Sequence, residues 1–108
     1  MSKDTVTGKT LLEASRKQDY LISLDDDTLS EIYHKCKKRQ YPILARIVSD
    51  SYGDAEIIQE EINSFINELM NTLKIIKMKN GTKTYLKDLL KISQEALNKK
   101  ENIYFISD

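Results

Sequence analysis

With 108 residues, 40% of them hydrophobic and 31% charged, the chain has the make-up of one folded domain rather than of a membrane protein or a disordered segment. Lysine plus arginine and aspartate plus glutamate each total 17, and the resulting zero net charge argues against bulk electrostatic capture of nucleic acid or anionic lipid. A lone cysteine, Cys36, excludes an internal disulfide, and three glycines with one proline favour helices over a many-stranded sheet.

In chain order, residues 1–9, MSKDTVTGK, are polar and read as a mobile N-terminal segment, which leaves 10–108 as a single helical domain. Thr10 and Glu13 have the spacing of a capping box and predict a short helix over 10–18. Gly8-Lys9-Thr10 matches the end of a phosphate-binding P-loop. The glycine that such a loop needs five residues earlier is Lys3, however, and no strand signal precedes the tripeptide, so no nucleotide site is expected. Tyr20–Leu24 is rich in strand formers. Asp25-Asp26-Asp27, an acidic helix start, then leads into Thr28-Leu29-Ser30-Glu31, which has the spacing of a second capping box. Leu29, Ile32, Tyr33 and Cys36 follow at helical spacing on one face, and Lys37-Lys38-Arg39 supply the basic end that the helix dipole favours. Pro42 suits the first turn of a further helix, with Ile43, Leu44, Ile47 and Val48 as its apolar face and Gly53 to close it.

The stretch Asp54–Lys77 contains no glycine or proline. Ala55, Ile58, Ile62, Phe65, Ile66, Leu69, Leu73 and Ile76 recur at steps of three and four, the period of an amphipathic helix of about six turns. Such a stripe must pack on other helices or on a partner chain. Asn80-Gly81 reads as its terminator, and Leu86, Leu89, Leu90, Ser93, Ala96 and Leu97 mark a last helix. Ile103 to Ile106 is too apolar for a free tail. The expected fold is mainly α, a compact bundle of four to five helices, with at most a small two-stranded pair formed by 20–24 and 102–106.

No constellation in the sequence carries an obvious chemistry. His34 and Cys36, two apart on a helix, point about 200° away from each other and form no thiol–imidazole pair. One His and one Cys make no zinc site, and Asp25-Asp26-Asp27 lacks the alternating ligands and mid-loop glycine of a calcium loop. Glu56, Glu60 and Glu61 lack the Glu-x-x-His pattern of carboxylate-bridged bundles. The helix from Pro42 would offer a DNA groove only Arg46, so sequence-specific DNA reading is not expected and nucleic acid ranks low as a partner. The chain is therefore expected to be no enzyme, to hold no cofactor or metal, and to have no catalytic residues.

The leading expectation is a protein–protein interaction module that binds itself or one specific protein. The long stripe, widened by Ile57 and Ile75 and edged by Glu61 and Glu68, is the expected docking strip. In size and helical pattern the chain resembles the small immunity or antitoxin-type proteins that bacteria pair with toxins, and this resemblance implies a protein partner. Two alternatives stand beside it: a nucleic-acid-associated regulator using basic blocks 35–46 and 74–87, and an enzyme whose site is assembled only in three dimensions. With no leader and no apolar run approaching the ~18 residues of a span, the expected location is the reducing cytoplasm, with no membrane partner.

Overall fold

Lys3, Thr5 and Thr7 alternate with Asp4, Val6 and Gly8, and a period of two is what a strand with two distinct faces requires. In the computed structural model, which describes residues 3–16, 22–49 and 54–107, these six residues form β1 (Lys3–Gly8). The chain continues through α1 (Leu11–Arg16), β2 (Ile22–Leu24), α2 (Asp26–Lys35), α3 (Pro42–Val48), β3 (Ala55–Ile57), α4 (Gln59–Ile75), α5 (Asn80–Lys99) and β4 (Asn102–Ser107). The strands pair antiparallel in the order β2-β1-β4-β3.

The fold of the described residues is thus α/β, five helices with a four-stranded sheet, and not the mainly α bundle that the helical periods suggest. Lys3–Gly8, within the segment read as mobile, form an inner strand. Thr5 lies opposite Ile22 on one side and Phe105 on the other. Both ends of the expected strand pair are strands, at Ile22–Leu24 and Asn102–Ser107, but they are not neighbours, because β1 separates them. Tyr20, Leu21, Gly53 and the last two residues of the helix expected over 10–18 lie outside the described residues.

Polarity hid β1. Its core-facing side chains are Lys3, Thr5 and Thr7, all buried. Burying an ammonium requires a partner, and the Lys3 Nζ donates to the Ile47 carbonyl at 2.6 Å, tying β1 to α3. The long helix is also shorter than its stripe. Ala55–Ile57 pairs with β4 and sets Ile57 opposite Ile103, so α4 runs for 17 residues. Gly81 lies in the first turn of α5, and the α4 helix instead ends at an extended Ile76.

The helices α2 to α5 cover one face of the sheet, where Leu24, Ile57, Ile103 and Phe105 meet Ile32, Leu44, Phe65, Leu69 and Leu86 in one core. The other face carries Val6, Tyr104 and Ile106, packed around Ala14 of α1. Gly8 makes that packing possible, since a Cβ there would lie 2.9 Å from the Ala14 backbone nitrogen. Thr10 Oγ1 accepts from the Glu13 N–H and the Glu13 carboxylate accepts from the Lys9 N–H, each at 3.1 Å. Gly8-Lys9-Thr10 is therefore a strand end followed by a reciprocal helix cap.

Candidate functional site

The four side chains expected along one docking strip take separate places. Ile57 is fully buried in β3. Glu61 receives both terminal nitrogens of Arg46, at 2.9 and 2.7 Å, and the Ile58 N–H at 3.3 Å, binding α3 to the first turn of α4. The Arg46 hydrogen bonds hold its carboxyl below the usual carboxylate range against the opposing effect of burial. Glu68 accepts from the Ile43 N–H at 3.1 Å and the Leu44 N–H at 2.9 Å, capping α3 across 24 residues of sequence. Ile75, in the last turn of α4, is 67% exposed. No strip joins the four, because the two carboxylates are turned to the protein's own backbone and guanidinium groups.

Glu31, read from its spacing as the capping-box partner of Thr28, serves other groups and is the most deeply committed acid among the described residues. Glu31 is buried on α2 and accepts from Lys35 Nζ at 2.8 Å and from the Lys79 N–H at 3.2 Å. Burial alone would raise its carboxyl. Bonds from the Lys35, Thr82 and Lys79 side chains and backbone overcome that effect and hold it at about 2. Lys35 Nζ also donates to the Lys77 carbonyl at 2.8 Å. The physical reason is a shared need: neither α3 nor α5 has an acid in its own first turn. Their unsatisfied N-terminal amides are served by Glu68 of α4 and Glu31 of α2.

The outer sheet face is the candidate surface. Over it α1 directs Ala14 inward, while Leu11 and Leu12 are 52% and 60% exposed. Beside Leu11 a groove of about 260 Å³ runs along Asp54, Ala55, Glu56, Tyr104 and Ile106. Its shape is braced from below: Asp54 accepts from the Ser107 N–H at 2.7 Å, and the Asn102 amide donates to the Tyr104 hydroxyl at 3.1 Å. An apolar floor with Asp54 and Glu56 at its rim suits apolar side chains flanked by basic ones.

Cys36 caps the C-terminus of α2 and is buried. Burial pushes its thiol up, opposed by the Thr72 hydroxyl, which makes it a weak nucleophile. His34 instead lies edge-on to Tyr33, with ring centroids 5.4 Å apart. Tyr33, expected on the apolar face, is 53% exposed. Among the described residues no three His, Cys, Asp or Glu side chains are grouped to hold a metal ion, and no helix is long and apolar enough to cross a membrane. No protein-family model, curated protein or solved structure matches the chain.

Proposed function

We propose that this protein is a non-catalytic module that binds one specific protein partner through the outer face of its sheet. The observation that carries this reading is the pair of adjacent leucines, Leu11 and Leu12, each more than half exposed, of which Leu11 lines the Tyr104–Ile106 groove. Adjacent exposed leucines at a groove are the kind of apolar patch that interfaces use, whereas a solitary exposed leucine needs no explanation. This mode of action suits the immunity or antitoxin class that the chain resembles in format, since blocking another protein's surface requires no chemistry of its own. The reading places the protein in a reducing cytoplasm, in keeping with a single buried thiol.

The test is co-expression with the products of the genes flanking its own, followed by calorimetric titration. The wild-type protein should form a stoichiometric complex with one of them. Replacing Leu11 and Leu12 with Glu should weaken that complex by about tenfold or more, the loss that follows from removing a buried apolar anchor, with the circular dichroism spectrum unchanged. A complex indifferent to the double replacement, or no complex with any flanking product, would refute the reading.

A further inference from the structure

Two segments that contain no acid, residues 32–49 and 69–87, lie far apart in the sequence. The structure joins them. Lys35 Nζ bonds the Lys77 carbonyl, and Glu31 of α2 holds the Lys79 N–H, so the end of α2 sits against the turn between α4 and α5. Gln40 and Tyr41, which follow α2, line a groove with Asn67, Glu68, Asn71 and Ile75 of α4. Lys35, Lys37, Lys38 and Arg39 are thereby brought to the same end of the molecule as Lys74, Lys77, Lys79 and Lys83. Of these eight, only Lys35 pairs with a carboxylate among the described residues. The zero net charge of the chain therefore conceals a strongly positive end.

Helix stability does not account for all of this charge. Bases at the ends of α2 and α4 are favoured by the dipole, but Lys79 and Lys83 flank the N-terminus of α5, where cations are disfavoured. A second groove, of about 320 Å³, opens between α2 and α3 and is lined by Tyr33, His34, Lys37, Lys38 and Ser49. It sets a half-exposed aromatic ring beside two ammonium groups. Lysine ammonium groups and an arginine are the usual binders of phosphate oxygens, and here Lys37, Lys38 and Arg39 follow directly on the helix that carries the exposed Tyr33 ring. Positive charge beside an exposed ring matches phosphodiesters and stacked bases.

We infer that this end of the molecule is a binding surface for single-stranded nucleic acid, with Tyr33 stacking a base and Lys37, Lys38, Lys77 and Lys79 tracking the phosphates. The surface is separate from the proposed protein-binding face. The experiment is fluorescence anisotropy on the full chain with labelled oligouridylate and oligothymidylate of about 12 nucleotides, a length within the usual site sizes. Both should bind at about 50 mM salt, and four phosphate contacts predict a loss of about fiftyfold on going to about 200 mM. Lys37→Gln with Lys38→Gln, and separately Lys77→Gln with Lys79→Gln, should each weaken binding by about tenfold and flatten the salt dependence. Tyr33→Ala should weaken it by about tenfold with the salt dependence unchanged. Lys99→Gln with Lys100→Gln, at the opposite end of α5, should have no effect. Preference for the ribo- over the deoxyribo-oligomer, or the reverse, identifies which nucleic acid the surface takes. The inference is overturned if neither oligomer binds at low salt, if the Lys99 and Lys100 replacements matter as much as the others, or if polyglutamate competes as well as the oligomers and Tyr33→Ala changes nothing. The last result would assign the surface to an acidic protein.

Discussion

Removing residues 1–8 should unfold the protein. β1 is hydrogen-bonded on both sides, to β2 through Lys3–Thr5 and to β4 along all six of its residues. Without it β2 has no neighbour in the sheet, and three residues do not hold a strand in place alone. Deletion also opens the core beneath Thr5 and Thr7 and removes the Lys3 bond to α3. A domain of this size is stabilised by about 5–15 kcal/mol in all, and loss of a central strand exceeds what that margin tolerates. The truncated chain should lack a cooperative thermal transition. A melting temperature within a few degrees of the full-length protein would show that these residues are the loose segment their polarity suggests.

Replacing Glu31 with Ala should cost about 3 kcal/mol, the penalty for stripping charge-assisted bonds from buried partners. The loss leaves the Lys79 N–H at the start of α5 without its acceptor and removes the carboxylate partner of Lys35 one turn along α2. For a domain of this length that corresponds to a fall in melting temperature of about 10–15 °C. The carboxyl also predicts an acid signature. Its folded value of about 2 lies below its ordinary 4.5. Its contribution is therefore complete above about pH 4.5 and is lost as pH falls from there toward 2. Because Lys35 is 43% exposed and partly screened, that contribution is about 2 kcal/mol rather than the full value of the shift. Urea denaturation between pH 5 and 2 should show a steeper loss of stability for the wild type than for Glu31→Gln. Parallel curves would remove Glu31 from the account.

The parts of this fold that the sequence displays are local. The acidic start of α2 is one, although its cap is Asp25, which accepts from the Thr28 N–H at 2.8 Å, rather than the Thr28–Glu31 box that the spacing suggests; Pro42 opens α3, and the stripe from Leu86 to Ala96 marks α5. Each signal lies within a few residues of the element it specifies. The sheet is different in kind. β2 and β3 have three residues each, too few for a period of two to emerge, and β1 meets β4 across nearly the whole chain. Inward-facing threonines and a buried lysine removed the hydrophobic alternation that would have revealed β1. Ala55–Ile57 fits the helical stripe of α4 equally well, so only pairing with β4 decides its conformation.

The same distinction governs the surfaces. An acid on a helix reads as solvated in one dimension, yet Glu31 and Glu68 serve amides 48 and 24 positions away. Leu11 and Leu12 follow a recognisable cap at Thr10, but the strand beneath them is needed to show that Ala14 is the residue turned inward. The acid-free segments are visible in the sequence, whereas their meeting depends on the Glu31–Lys35–Lys77 contacts.

The inner position of β1 underlies the sheet, the face on which α1 lies and the proposed protein-binding surface. Amide hydrogen exchange followed by NMR tests it most directly. The account predicts that the sheet-bonded amides within Lys3–Gly8 exchange only through global unfolding, as slowly as the amide of Leu69 in the core of α4. Exchange of the whole segment at the rate of an unstructured peptide would contradict it.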